Sequence, residues 1–279
     1  MSSGILLEDR GVIQIAGEDT VKFLHNIVTN DVLSLELGHA RYAALLAPQG
    51  KILSDFLVFP ISVGAERALL LDCPRDLASE LKRRLGMYKL RAKVEITDRS
   101  DEFDCFAFPD AQEVPAADAT AIARDPRSDK LGWRAIGKKG AIAATAQPES
   151  YEAARIAARV PRGGVDFLYN DAFPQEANMD LLAGVDYRKG CYIGQEVVSR
   201  MKHRGTSRKR IAPYVAEGAA PAPGAKIMLD DVEIGTVGSN AGAQGLAMVR
   251  LDRLADGKAA GKTPLADGIA LSIEELAAN

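Results

Sequence analysis

Eight consecutive residues, Lys189-Gly190-Cys191-Tyr192-Ile193-Gly194-Gln195-Glu196, crowd more reactive chemistry together than any other stretch of the chain. A lysine stands two positions before a cysteine, and an amide and a carboxylate follow three residues after the aromatic. Glycines at 190 and 194 let the backbone approach a ligand or take positive φ. Gln195 to Met201 reads as the start of a helix, so Lys189 and a helix N-terminus would both favour a thiolate at Cys191. A thiolate attacks electrophiles or supplies one ligand to a metal shared with a partner. The plainer alternative is a buried cysteine in a tight loop, and the neighbouring ionisable groups weigh against it. Cys73 and Cys105 sit in apolar stretches and read as small core residues. Three cysteines without a Cys-x-x-Cys pair give neither a disulfide framework nor a zinc site. One cysteine cannot hold an iron–sulfur cluster alone, and His25, His39 and His203 are not spaced as ligands.

A second concentration of charge follows. Arg200, Lys202, Arg204, Arg208, Lys209 and Arg210 crowd around Gly205. They suit a solvated loop, the anionic tail of a ligand, or RNA phosphates. The whole chain carries a net charge of −3, which does not suggest a nucleic-acid coat. With 279 residues, 47% hydrophobic and 26% charged, it has the composition of a globular protein with a sizeable core. Apolar runs such as Ala43–Ala47 are too short to span a bilayer. The first residues include Glu8, Asp9 and Arg10 and resemble neither a secretory signal nor an acid-poor transit peptide. A cytoplasmic address is the expectation.

These groups need a frame. Strands are expected at Gly11–Ala16, Tyr42–Leu46, Ile52–Phe59, Arg67–Leu71, Lys93–Thr97, Phe103–Phe108 and Leu131–Ile136. Pro48-Gln49-Gly50 marks a hairpin turn. Helices are expected after Asp19, from Pro74 to Gly86 and over Glu149–Arg159. The stretch 110–130 reads as surface loop with one strand, and Gly163–Gln175 as irregular. Strands outnumber crossovers, so the fold class is α+β with mainly antiparallel sheets. An Ala-, Pro- and Gly-rich connection at Ala216–Gly224 precedes short strands only, which predicts a small C-terminal β-barrel. The division expected is 1–210 and 211–279.

The octapeptide resembles the signature of the YgfZ-type folate-binding proteins, relatives of the glycine-cleavage T-protein that assist iron–sulfur enzymes. Three further stretches share the likeness: Phe23 to Val32, Pro48 to Asp55, and Phe173 to Asp180. The resemblance covers roughly residues 5–250. It implies two ferredoxin-like lobes and a C-terminal barrel around a central channel that holds tetrahydrofolate or another reduced folate. Folate needs a carboxylate or amide at its amino-pyrimidinone edge, walls for the pterin ring, and cations for its glutamate tail. On that reading Glu176 meets the pterin edge, and Asp180, at helical spacing from it, faces the same cavity. Tyr187 and Tyr192 wall the ring, while Arg188 and the cluster from Arg200 to Arg210 meet the tail. Asp55, Gln195 and Glu196 complete the cofactor-binding set, with Cys191 and Lys189 as the reactive pair. Glu176 also suits N-terminal capping of a helical stretch Ala177–Leu182.

The hairpin departs from the T-protein pattern. Aminomethyl-transferring relatives carry two adjacent aspartates there after a glycine pair, whereas this chain reads Gly50-Lys51-Ile52-Leu53-Ser54-Asp55. The lost carboxylate removes a general acid or a partner for an amine, and the cysteine is the compensating novelty. The leading expectation is a folate-binding accessory factor for assembly or repair of iron–sulfur enzymes, working transiently with client enzymes or cluster carriers. The alternatives are a folate-dependent one-carbon transferase, acting even on RNA, and a folate sensor without catalysis.

Overall fold

The computed structural model describes residues 4–64, 66–109, 111–205 and 207–274. Asp110, within the expected loop 110–130, and residues 275–279 of the expected C-terminal stretch lie outside the described residues.

Long apolar runs build the first sheet. Its five antiparallel strands lie in the order Arg41–Leu46, Ile52–Val63, Glu66–Pro74, Arg10–Ala16 and Glu95–Asp98. The Ile52–Val63 strand is buried on both faces over most of its length, because each face of the sheet is covered. One face packs on helices Thr20–His25 and Ala78–Tyr88 through Phe23, Leu24, Leu81 and Leu85. The other meets a four-stranded antiparallel sheet, ordered Ile5–Leu6, Phe103–Phe108, Trp133–Lys138 and Ala121–Arg124. The largest apolar cluster lies between them and takes Val12, Tyr42, Leu57, Phe59, Phe103, Cys105 and Ile136 from both sheets.

The C-terminal strands close into a six-stranded barrel: Lys209–Ala216, Gln244–Arg250, Val232–Ala241, Lys226–Leu229, Leu265–Ala266 and Ile269–Ile273. The expected class is therefore observed, α+β with antiparallel sheets and a closed C-terminal barrel. Buried polar contacts join the barrel to the body. Arg155, in helix Pro148–Ala157, donates to Asp166 at 3.0 Å and to Ser239 Oγ at 2.8 Å. Ser239 reaches Asp166 because the strand bulges between Val237 and Asn240.

Three local expectations change. Strands are not the only elements after residue 224, since Leu251–Ala259 forms a helix with Leu254 and Gly257 buried. A glycine and several alanines hide it from periodicity. Gly257 is there for closeness, because an added Cβ would lie 2.3 Å from Leu229. The helix expected to start at Pro74 starts at Ala78, after a 3-10 turn Arg75–Leu77, and runs through Gly86 to Tyr88. Burial of Leu81 and Leu85 outweighs the roughly 1 kcal/mol that one glycine costs. Residues 174–183 form successive turns instead of a helix, with Asn178 and Ala183 at φ of 57° and 52°.

Candidate functional site

The cysteine loop is held at both ends. At its start, Thr29 Oγ1 donates to Gly184 O at 2.7 Å, Asn30 Nδ2 to Ala183 O at 2.6 Å, and Asp186 N–H to Thr29 O at 3.0 Å. The Thr-Asn-Asp motif that leaves the first helix thus serves to anchor a loop more than 150 residues away. At its end, Gly194 caps helix Gln195–Arg204 with φ of 79°. A Cβ on Gly194 would lie 2.7 Å from Ala47 O and 3.0 Å from Gly50 Cα, so the tip of the first hairpin and the loop touch backbone to backbone. Gly190 has open space around it and needs no such closeness. Cys191 is exposed between these anchors, whereas Cys73 and Cys105 are buried. Burial pushes the Cys73 thiol up to about 12 and leaves it inert.

Lys189 is placed differently from the expectation. Its ammonium donates to the carbonyls of His25, Val28 and Asn30 and stands 5.2 Å from the Tyr192 ring centre. Burial pulls it down to about 8, with Asp31 and Asp186 opposing. Tyr192 is buried, and its hydroxyl has no hydrogen-bond partner among the described residues. Arg188 projects into solvent, with its side chain 96% exposed. Gln195 opens the helix, and Glu196 pairs with Arg200 one turn on.

Other candidates are already engaged. Asp180 takes a two-pronged bond from Arg210, at 2.9 and 2.8 Å, which removes Arg210 from the free cluster expected to meet an anion. Lys202 stands 3.7 Å over the Tyr187 ring, and Gln175 Nε2 donates to the Tyr187 hydroxyl at 3.2 Å. A small cavity of about 170 Å³ joins Asp180, Tyr187, Lys202 and Arg210. Glu176 accepts from the upstream Phe173 N–H at 2.8 Å, and with turns in place of a helix over 177–182 the expected helix cap is not formed. Burial raises its carboxyl, while that N–H, Lys51 and Lys209 pull the other way. Lys51 in turn lies 3.6 Å over the Phe173 ring and donates to Asp171 O.

A cavity larger than the one beside Asp180 lies elsewhere. It measures about 580 Å³ and is walled by Asp55, Tyr151, Tyr169 and the arginines at 10, 75, 127, 134, 155 and 162, among others. Of the candidates drawn from sequence, Asp55 alone is among its walls; Glu176 and Cys191 are not. Asp55 accepts from the Tyr42 hydroxyl at 2.9 Å and from the Tyr169 hydroxyl. Burial and the Asp55 charge push both phenols up, so they stay donors. Behind the wall, fully buried Asp72 takes bonds of 2.6 Å from both Arg10 and Arg134. Burial opposes its ionisation, yet the two guanidiniums hold its carboxyl well below the usual range. Arg127 pairs with Asp125 and donates to the Tyr151 hydroxyl at 2.9 Å. Sequence reasoning missed these arginines because they come from six separated positions between residues 10 and 162. The available signal was a charge inside an apolar strand, as in Leu70-Leu71-Asp72-Cys73 and Trp133-Arg134-Ala135-Ile136.

The cavity's donor set suits a reduced folate. Its volume falls in the range of roughly 300–1,000 Å³ usual for ligand pockets. It offers a buried carboxylate, two tyrosines and rim arginines, and the Nε of Arg162 is buried with no partner among the described residues. Among the described residues, no group of three or more His, Cys, Asp or Glu is arranged to hold a metal ion, and no helix is long and apolar enough to cross a membrane.

Residues 7–124 match the model of the GCVT N-terminal domain, and residues 208–276 that of the CAF17 C-terminal beta-barrel domain. The chain is 36% identical over 232 residues to the mitochondrial iron–sulfur cluster assembly factor IBA57 homolog of Mycosarcoma maydis, covering 76% of this chain and 58% of that protein. It is 31% identical over 242 residues to mitochondrial IBA57 of Mus musculus, covering 78% and 67%. For mitochondrial IBA57 of Homo sapiens the figures are 27%, 89% and 77%. The chain thus spans little more than half the length of the fungal relatives. A crystal structure of glycine cleavage system aminomethyltransferase T from Bartonella henselae superposes with a TM-score of 0.75 over the whole chain and 86% of that protein, at 16% identity, which is a likeness of fold. These relatives are mitochondrial, which overturns the cytoplasmic address expected above. That expectation rested on N-terminal composition alone.

Proposed function

The chain belongs to the IBA57 iron–sulfur cluster assembly factor family, and on that premise we propose that it supports assembly or repair of iron–sulfur enzymes through Cys191, with a reduced folate as its small-molecule partner. The observation that carries the reading is the exposed Cys191 on a loop pinned at both ends, in a chain whose other two thiols are buried. An anchored, accessible cysteine presents one ligand or one nucleophile to a passing carrier or client, and the remaining ligands of any cluster come from that partner. The chain's octapeptide resembles the signature of the YgfZ-type proteins.

Folate is assigned to the 580 Å³ cavity. Asp55, fixed by two phenols, takes the amino-pyrimidinone edge in place of Glu176. Tyr151 and Tyr169 flank the ring, and Arg75 and Arg162 meet the glutamate tail. When bound, a reduced folate supplies one-carbon or reducing chemistry, while the chain's own residues orient it and exclude water. The transferase alternative, on RNA or another acceptor, draws on Asp55 alone, and turnover of one-carbon folates by the purified chain would establish it.

Two experiments test the reading. Cys191→Ser should fold normally yet fail to restore iron–sulfur enzyme activity in cells lacking the protein; full rescue removes the thiol's role. In titrations with tetrahydrofolate, Asp55→Asn should weaken binding roughly ten- to a hundredfold. Glu176→Ala should weaken it less. The reverse order returns the pterin edge to Glu176, and no loss in either variant removes folate from the cavity.

A further inference from the structure

We propose that Lys189 is a positioning residue for Cys191, a latch that seats the cysteine loop on the chain leaving the first helix, and not the thiolate's counter-ion. An ammonium has three N–H donors. All three are used here, on the carbonyl oxygens of His25, Val28 at 2.6 Å and Asn30 at 3.2 Å. The side chain is buried to reach them, with Lys189 only 8% exposed, while Cys191, two residues on, is exposed. The cation and the sulfur therefore occupy different environments, and the charge is spent inward.

The seat is built for this purpose by the segment 25–30. Thr29 and Asn30 bond to residues 183–186 with their side chains and backbone, and the carbonyls of His25, Val28 and Asn30 turn toward one point. Four residues, 190–193, then run to the second anchor at Gly194. With Lys189 seated, both ends of that span are fixed and the thiol is held at one place on the surface. The charged and titratable groups facing the ammonium are Asp31, Asp186 and His25, with the Tyr192 ring beside it. Burial and the Lys189 charge both lower the pKa of His25, against Asp31. A neutral amine would keep two donors and leave one carbonyl without a partner.

The inference takes its functional weight from the reading of Cys191 as the working thiol, but its test does not use iron–sulfur activity. Wild type, Lys189→Arg and Lys189→Met are compared as full chains. Amide exchange is followed over residues 184–194, together with the rate and pH midpoint of Cys191 alkylation by iodoacetamide. The buried Cys73 and Cys105 leave that signal to Cys191. Lys189→Met should lose protection in the segment roughly ten- to a hundredfold and leave the alkylation midpoint where it is. Lys189→Arg should fall between it and wild type. Unchanged protection in Lys189→Met, or a raised midpoint, overturns the proposal. Should the methionine variant not fold, the wild type with 15N-labelled lysine decides. A slowly exchanging ammonium signal for Lys189 near pH 6 supports the latch, and exchange as fast as that of surface lysines overturns it. Rescue by Cys191→Ser would end the functional reading while leaving these results untouched.

Discussion

Two glycines of the cysteine loop look alike in sequence and differ in kind. Gly194 combines positive φ with a backbone approach of 2.7 Å, whereas Gly190 has nothing near it. An L-residue in the left-handed region costs on the order of 1–2 kcal/mol before any clash is counted. Gly194→Ala should therefore lower the melting temperature and disturb the hairpin contact, while Gly190→Ala should stay within about 0.5 kcal/mol of wild type in denaturant unfolding. Glu176 belongs to the same scale. Its carboxyl is raised in the fold by burial, so its contribution is full below the unfolded carboxyl pKa and declines as pH rises through the folded one. Glu176→Gln keeps an acceptor for the Phe173 N–H and removes the buried charge. It should be at least as stable as wild type at neutral pH, whereas Glu176→Ala should lose about 1 kcal/mol with that hydrogen bond.

At the scale of elements, the two open sheets share a buried ion network. Asp72 lies in the strand Glu66–Pro74 of one sheet and Arg134 in the strand Trp133–Lys138 of the other. Apolar packing alone would let the sheets slide, and a two-armed carboxylate fixes their relative placement. Breaking one side of a buried pair typically costs about 3–5 kcal/mol, so Asp72→Asn should lose that order of stability in urea. The sign with pH follows from the lowered carboxyl. The stabilisation is complete above the unfolded value of about 3.9 and is lost as acid approaches the folded one. The variant should therefore show a flatter decline of stability than wild type below about pH 4.

For the molecule as a whole, we propose that residues 1–210 and 211–279 behave as two units, coupled by the shared apolar packing of Ile211 and Leu246 and by the buried contacts of Arg155, Asp166 and Ser239. The pair Arg155–Asp166 is buried, and Ser239 brings the barrel to it. Asp166→Ala leaves Arg155 without its buried partner there, and calorimetry should resolve two transitions where wild type shows one. A single transition shifted downward would assign the whole chain to one cooperative unit. Asp166 also holds Arg155 and the Arg162 N–H, two walls of the cavity with Asp55, so tetrahydrofolate titration of Asp166→Ala below its first transition should show weaker binding than wild type.

Sequence alone determined the local frame and the chemical inventory. Alternating and continuous apolar runs predict the long strands to within a few residues, because side-chain burial follows the strand's own period. The octapeptide around Cys191 stands out because its residue types are contiguous, and the hairpin turn at Pro48-Gln49-Gly50 is local chemistry too. Tertiary structure decided what the charges do. Lys189 turns from the cysteine to three carbonyls, Asp180 and Arg210 neutralise each other, and Glu176 accepts from the Phe173 N–H. The cavity gathers arginines from distant stretches around Asp55. None of this is periodic or contiguous. A buried charge takes whichever partner the packed fold brings within hydrogen-bond reach, and that partner is set by how elements far apart in the chain meet.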